Sequence, residues 1–209
     1  KADLSIVVNT GDDEKFYGLH VSPDLDTVMY TLGEIANPIT GWGIKDDTNQ
    51  AIKMLGKYGE QTWFTLGDKD LATHIHRTNL LNRGLNLSEA TKELCRHLGV
   101  DQNIVPMTND SVQTKLITDE GELPFQEYFV EKRCLPRVSS VKFNGASTAK
   151  VSPEFNRALN EARAIIFAPS NPMLSIDPIL SLPNVKERIS QFSGPKVVVS
   201  PIVAGKAIK

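Results

Sequence analysis

The sequence is poor in cysteine, has no surplus of basic residues and contains no long apolar run. Its two cysteines, Cys95 and Cys134, cannot build a disulfide framework, and no signal peptide is recognisable, so we expect a cytoplasmic protein. The 25 Asp and Glu residues outnumber the 23 Lys and Arg residues, which argues against a nucleic-acid partner. The apolar runs are only strand-sized, and we therefore expect no membrane-spanning helix and no membrane partner.

A glycine-rich phosphate loop is also missing. The turn after the first predicted strand contains only Gly11, and no G-x-G-x-x-G pattern occurs anywhere. The chain begins at Lys1 rather than Met and stops soon after a strand-like run, which we interpret as part of a longer protein. The composition of the 209 residues, 40% hydrophobic and 23% charged, is that of a folded globular protein.

Apolar strands alternate with amphipathic helices over the first hundred residues. Strands are predicted at residues 4–8 and 62–66, where apolar and β-branched residues cluster. Helices are predicted at 23–33 after the cap Ser22, at 48–55, at 70–84 with an apolar face of Leu71, Ile75, Thr78 and Leu81, and from the cap Ser88 to 98. This alternation predicts an α/β fold with a doubly wound, mostly parallel, Rossmann-like sheet.

The middle of the sequence has a different rhythm. Strands are predicted at residues 111–117, 123–130 and 138–143, with a tight turn at 119–121. We interpret residues 103–150 as an antiparallel β insertion between two parts of the α/β core, residues 1–102 and 151–209. In the last part the helix–strand rhythm returns, with strands predicted at 164–168 and 196–200.

Acidic residues follow the first predicted strand, at the sheet edge where open α/β folds bind ligands. Asp12 and Asp13 come directly after the strand, and Asp24 and Asp26 lie in the first turn of the next helix. Four carboxylates at one place repel each other unless a cation or polar donors compensate, and such oxygen ligands suit Mg²⁺. The same residues also fit a plain description, in which Asp24 favours a helix N-terminus and Asp12 and Asp13 form a solvated turn.

A second polar segment, Pro169-Ser170-Asn171-Pro172, follows the strand predicted at 164–168. A strand end that leads into a helix with Ser and Asn donors resembles a phosphate- or base-binding turn, and the composition equally fits an ordinary loop. The histidines show no metal spacing; His74 and His76, two residues apart on a helix, face different sides.

Eight short motifs occur in a fixed order along the chain. They are VNTGDD at 8–13, SPDLDT at 22–27, GWG at 41–43, LGDKDLATH at 66–74, PMTND at 106–110, FQE at 125–127, APSNP at 168–172 with Ser175-Ile176, and SPI at 200–202. Together they resemble the 2-phospho-lactate transferase family of coenzyme F-420 biosynthesis and span nearly the whole chain.

The resemblance implies a transferase that binds two small molecules, a guanosine diphospho-linked lactate or enolpyruvate and the deazaflavin alcohol Fo, with Mg²⁺ as cofactor. It implies that the terminal hydroxyl of Fo attacks the phosphorus that carries the three-carbon acid, and that GMP leaves. Positioning and charge neutralisation dominate reactions of this kind. We also expect a homodimer.

The resemblance further implies roles for individual residues. Asp13 and Asp24 are expected to bind Mg²⁺, and Asp13 and Asp26 to be catalytic, with Asp26 orienting the Fo hydroxyl. The expected substrate contacts are Asn9 and Asp12 at the first strand end, Thr65, Asp68, Thr73 and His74 on the Fo side, and Ser170, Asn171 and Ser175 on the guanosine or phosphate side.

A function of a different class also fits a fold of this kind: a non-catalytic nucleotide- or nucleotide-sugar-binding regulator. Such a protein would need a phosphate-binding turn but not the stretches 22–27 and 67–74, which resemble the Fo wall of the family. Both stretches are present, so we favour the enzyme. The family has a Gly-Gly-rich loop upstream of this region that the chain lacks, and we therefore expect the chain alone to bind Fo better than GDP.

Overall fold

The computed structural model describes residues 3–207, and its parallel strands form two pairs. Strand β1 (Ser5–Val8) pairs with β4 (Asn103–Pro106), and β8 (Ile165–Phe167) pairs with β9 (Lys196–Val198). Parallel strands need a crossover connection, which helices supply in both halves of the chain. The helices between β1 and β4 are α1 (Pro23–Leu32), α2 (Gln50–Lys57), α3 (Asp68–Asn82) and α4 (Leu87–His97); those that follow are α5 (Pro153–Glu161), α6 (Asp177–Leu180) and α7 (Val185–Gln191).

The β1–β4 pair is covered on both faces. Successive side chains of a strand point to opposite sides, so Val8 and Ile104 join a cluster with Leu25 and Met29 of α1. Val105 lies in a second cluster that includes residues of α5 and α7, and Val7 packs against it. This two-sided burial explains why the first strand reads as a continuous apolar run rather than an alternating one.

The insertion is a three-stranded antiparallel sheet in the order β6–β5–β7. Its strands are β5 (Gln113–Thr118), β6 (Gly121–Pro124) and β7 (Val138–Asn144). The prediction of a strand at 123–130 is wrong beyond Pro124, because the chain forms a π-helical turn at Glu127–Glu131. Tyr128 of that turn packs with Leu116 and Leu123. The predicted α/β fold, with parallel strands and an antiparallel insertion, is confirmed.

The segment 62–66 is irregular, so the strand predicted there is wrong. The hydroxyl of Tyr17, at the turn between β2 (Glu14–Phe16) and β3 (Leu19–Val21), donates to the carbonyls of Gln61 and Phe64 at 3.1 and 2.9 Å. The ring of Phe64 stacks on that of Phe16 with centroids 3.8 Å apart. A hairpin side chain therefore binds this apolar segment, and no neighbouring strand does so among the described residues.

The starts of two helices differ from the prediction. Helix α4 begins earlier than expected, because Asn86 is its cap and exchanges hydrogen bonds with Glu89 in a capping box. Ser88 lies inside the helix, where its hydroxyl donates to Oδ1 of Asn109 at 2.8 Å. Ser22 does precede α1, but its hydroxyl makes no capping hydrogen bond because it is bound to Asp13.

The buried face of α3 is largely polar, so the predicted apolar face is correct at Leu71 and wrong at Ile75. Ile75 is 47% exposed, whereas the buried residues of α3 are Asp70, Leu71, His74, Arg77 and Leu80.

No helix within residues 3–207 combines the length and the apolar character needed to cross a bilayer.

Candidate active site

The side chain of Asn9, directly after β1, joins three segments of the chain. Its Nδ2 lies 2.9 Å from Oδ1 of Asp12, 3.0 Å from Oδ2 of Asp24 and 3.4 Å from the carbonyl oxygen of Leu174. Its Oδ1 accepts the backbone N–H of Gly11 at 2.7 Å. Asn9 therefore holds together the end of β1, the start of α1 and the π-helical turn Pro172–Ile176.

The antiparallel insertion reaches the same place through Gly11. The backbone N–H of Thr114 donates to the Gly11 carbonyl. A Cβ atom on residue 11 would lie 2.7 Å from Oγ1 of Thr114 and 3.2 Å from Cβ of Pro178. Real Cβ atoms essentially never approach another atom as closely as 2.7 Å. Only glycine allows the strand end, the insertion and α6 to approach this closely.

Asp13 is bound on one oxygen only. Its Oδ2 accepts the hydroxyl of Ser22 at 2.7 Å and lies 3.0 Å from Nε2 of His20. Its Oδ1 is buried without a hydrogen-bond partner among the described residues, and so is Oγ1 of the neighbouring Thr10. Buried polar atoms normally have partners, so these two are candidates for contacts to a ligand.

The three carboxylates Asp12, Asp13 and Asp24, which we call the acidic mouth, all have raised pKa values. Burial raises the pKa of Asp12 well above its ordinary value, and the charges of Asp24 and Asp13 add to the shift. Burial also raises the pKa of Asp13, although His20 and Ser22 oppose it. Burial raises the pKa of Asp24 to about 6, opposed by the hydrogen bond from Asn9. Ionised, the mouth is therefore only partly compensated, since Arg77 lowers the pKa of Asp13 without cancelling the effect of burial.

The acidic mouth fits Mg²⁺ as a partial site. Within residues 3–207, no three or more His, Cys, Asp or Glu side chains are arranged around one metal position. Mg²⁺ often needs no more than one or two protein carboxylates, because it keeps waters and takes substrate phosphates as ligands. The unpaired Oδ1 of Asp13 and the acid-only character of the mouth fit such a cation, and the assignment of Asp13 and Asp24 stays a prediction.

Asp26 lies behind the acidic mouth. The residue is 4% exposed, and its carboxylate accepts from both terminal nitrogens of Arg77, with a distance of 3.1 Å between Nη1 and Oδ2. Its backbone N–H donates to the carbonyl of Ser22, whose hydroxyl holds Asp13. With both oxygens bound to Arg77, the geometry supports a positioning role for Asp26 rather than the predicted direct contact with a substrate hydroxyl.

Arg77 extends this ion pair into a buried network of Asp26, Arg77, His74, Asp70 and Tyr30. Nη1 of Arg77 lies 3.3 Å from Nδ1 of His74, and Nε2 of that ring lies 3.2 Å from Oδ1 of Asp70. The same Oδ1 accepts the hydroxyl of Tyr30 at 2.7 Å. His74, expected on the Fo side, is 1% exposed and belongs to this network.

The pKa values of Asp70 and Arg77 in the buried network are shifted towards their charged forms. Burial alone would raise the pKa of Asp70, but His74, the Tyr30 hydroxyl and Arg77 together hold it below its ordinary value. Burial would lower the pKa of Arg77, and the charge and hydrogen bonds of Asp26 more than reverse that shift. Each charged group is stabilised by a partner of opposite charge, which is the usual condition for burying such groups.

Asp68 joins the ends of two helices. Its carboxylate accepts the N–H groups of Gln50 and Ala51 at 3.0 and 2.9 Å, at the start of α2. Asp47 in turn accepts the N–H groups of Lys69 and Asp70 at 2.8 and 3.0 Å, at the start of α3. The hydrogen bond from Thr48 and those of the α2 backbone lower the pKa of Asp68. The other residues predicted on the Fo side are Thr65, which is exposed, and Thr73, which is half-buried.

The turn predicted to hold the donor lies next to the acidic mouth. Oδ1 of Asn171 accepts the N–H groups of Met173 and Leu174 at 3.0 and 3.3 Å, and the N–H of Ser175 donates to its carbonyl. The contact between Asn9 and the carbonyl of Leu174 brings this turn to the end of β1. Ser170 is half-buried on the same segment.

Arg77 is the main site residue that the sequence analysis missed. Asp70, His74 and Arg77 are spaced four and three residues apart, which places all three on one face of α3. The predicted face of α3 was chosen from its apolar residues, and it therefore did not include these polar ones. Ser22 and His20 were also missed as partners of Asp13, because they precede α1 and contact the β1 loop only in three dimensions.

Comparison with known proteins identifies the family of the chain. A family model described as 2-phospho-L-lactate transferase CofD matches residues 1–208. The chain belongs to this family. It is 42% identical over 213 residues to a phosphoenolpyruvate transferase of Streptomyces griseus and 41% identical over 209 residues to a 2-phospho-L-lactate transferase of Methanopyrus kandleri. Each match covers 100% of the chain and 67% of the relative, so the chain spans about two thirds of their length.

A solved structure confirms the fold. A member of the UPF0052 family from Bacillus halodurans superposes with a TM-score of 0.61 and 16% sequence identity, over 93% of this chain and 59% of the other. At this identity the likeness concerns the fold alone. The CofD family and the relatives are transferases, which favours an enzyme over the regulator considered above.

Proposed function

We propose that the protein transfers a phospholactyl or phosphoenolpyruvyl group from a guanosine diphospho-linked donor to the hydroxyl of Fo, with release of GMP, in coenzyme F-420 biosynthesis. Membership of the CofD family supports the class of reaction. The observation that carries the proposal is the acidic mouth, in which Asp12, Asp13 and Asp24 have raised pKa values and one oxygen of Asp13 has no hydrogen-bond partner among the described residues.

Mg²⁺ held by Asp13 and Asp24 would neutralise charge on the transferring phosphoryl group. The protein's own part is to position the mouth: Asn9 fixes Asp12 and Asp24, and Ser22 and His20 fix Asp13. Because phosphoryl transfer needs little covalent help from protein groups, such positioning accounts for most of the catalysis expected here. Asp26 contributes through Arg77 and the backbone of Ser22.

The remaining predicted contacts divide between the two substrates. We propose that Ser170, Asn171 and Ser175 face the guanosine or phosphate part of the donor, since their segment adjoins Asn9. Thr65 and Thr73 remain proposals for the Fo side. Asp68 and His74 would act there only indirectly, because Asp68 binds backbone N–H groups of α2 and His74 lies in the buried network.

The test is release of GMP from the guanosine diphospho-linked donor in the presence of Fo and Mg²⁺. We expect D13N to lower kcat by about 100-fold or more, a loss typical of removing one electrostatic contact to a transition state. The exposed Asp101 provides a matched control, and D101N should retain full activity. Turnover that is unchanged in D13N and independent of Mg²⁺ would contradict the proposal.

A further inference from the structure

The chain contains the same helix-start motif twice, and the two copies use their serine differently. Ser22-Pro23-Asp24 begins α1, and Ser152-Pro153-Glu154 begins α5. Both serines are buried, with 0% and 1% of their surface exposed. The hydroxyl of Ser152 accepts the N–H of Phe155 at 3.1 Å, which is the usual capping bond, and donates to the carbonyl of Pro106 at 2.7 Å.

Ser22 makes no capping bond. Its hydroxyl donates instead to Oδ2 of Asp13 at 2.7 Å. A capping bond stabilises the start of a helix, so α1 forgoes a stabilisation that α5 has. Because the same motif does cap α5, the local sequence alone does not explain the difference, and the contact with Asp13 does.

The buried network holds the backbone of Ser22 in place. The carbonyl of Ser22 accepts the N–H of Asp26 at 2.9 Å, and the carboxylate of Asp26 is bound to Arg77. Asp26 and Arg77 are both buried. Ser22 therefore connects the buried network to the acidic mouth, and its hydroxyl reaches Asp13 from a fixed position.

The contact also decides which oxygen of Asp13 is free. The terminal torsion of an aspartate has only a broad preference, so the two oxygens exchange places unless one of them is anchored. The Ser22 hydroxyl and Nε2 of His20 both lie against Oδ2, at 2.7 and 3.0 Å. Oδ1 is thereby kept in one position, where it has no hydrogen-bond partner among the described residues.

We infer that Ser22 is a positioning residue for the transfer, whose hydroxyl anchors Oδ2 of Asp13 and so keeps Oδ1 directed to the ligand. The inference rests on the proposed function, in which Asp13 binds Mg²⁺ next to the transferring phosphoryl group. Ser22 acts through Asp13 and not through a contact of its own. Removing a group that orients a metal ligand typically lowers metal affinity or activity by about 10- to 100-fold.

The kinetic test compares S22A with S152A, the same change in the two copies of the motif. S22A should lower kcat for GMP release by about 10- to 100-fold and leave the KM of Fo within twofold. S152A removes two hydrogen bonds and should lower the midpoint of urea unfolding, with kcat within twofold of the unmodified protein. If S22A also retains kcat within twofold, Ser22 is structural like Ser152 and the inference is overturned.

A double mutant keeps the test decisive even where S22A lowers stability. Because Ser22 acts through Asp13, adding S22A to D13N should change kcat by less than twofold, although S22A alone costs at least tenfold. A further loss of more than twofold in the double mutant would show that Ser22 acts by another route, and would overturn the inference.

Calorimetry with Mg²⁺ alone separates this inference from the proposed function. S22A should bind Mg²⁺ about tenfold more weakly than the unmodified protein, and S152A should bind it equally well. Equal behaviour of S22A and the unmodified protein would refute the role of Ser22. Weaker Mg²⁺ binding by S22A, without GMP release by the unmodified protein, would keep Ser22 as a positioning residue and reject the proposed transfer. GMP release that is insensitive to S22A would do the reverse.

Discussion

The buried network and the acidic mouth contain similar residues in opposite electrical states. In the network, Asp26 and Asp70 face Arg77, His74 and Tyr30, and the pKa of Asp70 is lowered. In the mouth, Asn9 contacts Asp12 and Asp24, His20 and Ser22 contact Asp13, and the pKa values of all three acids are nevertheless raised. Burial acts on both groups, so the difference comes from the partners. A site that is balanced without a ligand is structural, and one that is not balanced is open to a ligand.

The strongest way to break this comparison is to remove the cation of the network. R77M should destabilise the protein by about 3–5 kcal/mol, because it leaves the buried Asp26 carboxylate without its arginine partner. R96M is the control, since Arg96 pairs with Glu93 on the surface and its loss should leave the free energy of unfolding nearly unchanged. Urea unfolding measures both. A loss below 1 kcal/mol for R77M would show that the network does not hold the fold.

The mouth should give the opposite response. Since the pKa of Asp24 in the folded protein is about 6, above its unfolded value, this group favours folding at low pH and loses that contribution as the pH rises through 6. Asn at this position does not titrate. D24N without Mg²⁺ should therefore match the unmodified protein near pH 4 and exceed its stability by about 2 kcal/mol at pH 8.

Urea unfolding between pH 4 and 8 checks this expectation, with D101N as the control. Added Mg²⁺ should stabilise the unmodified protein at pH 8 and have less effect on D24N. The expectation concerns the stability of D24N minus that of the unmodified protein. If this difference is smaller at pH 8 than at pH 4, the charge of Asp24 is compensated in the folded protein and the contrast with the network fails.

A smaller effect on the KM of the donor would show whether the turn Pro172–Ile176 contributes to donor binding next to the acidic mouth. S170A should raise the KM of the donor about three- to tenfold, the value of one neutral hydrogen bond, and leave Fo binding nearly unchanged. Fluorescence titration of Fo and steady-state kinetics with the donor distinguish the two substrates. Weakened Fo binding with an unchanged donor KM would place this turn on the acceptor side.

Local signals in the sequence predicted most of the core. The continuous apolar run at β1 indicated a strand covered on both faces, and the Ser22-Pro23 pair located the start of α1. The irregular segment 62–66 was beyond such reasoning, because its partner Tyr17 lies more than 40 residues away and binds it through a hydroxyl. For the same reason an apolar run does not guarantee a strand.

The site was predicted in location more than in detail. Asn9, Asp12, Asp13 and Asp24 do converge after β1, as the rule for strand ends indicates. The rule does not tell which acid acquires a basic partner, and that difference separates Asp26 from Asp24. Arg77 reaches Asp26 because α3 lies against α1 in the folded protein. The polar residues of α3 share one face, and a prediction based on apolar residues alone does not detect it.

The exchange of caps between Asp47 and Asp68 links the unfolding of two helices. Asp47 lies just before α2 but accepts backbone N–H groups at the start of α3. Asp68 lies at the start of α3 but accepts backbone N–H groups at the start of α2. Gly67 permits the contact, since any side chain there would collide with Asp47. Fraying at the start of either helix therefore releases a carboxylate that the other helix needs. In hydrogen exchange, the first turns of α2 and α3 should open together, as one cooperative unit at the edge of the buried network.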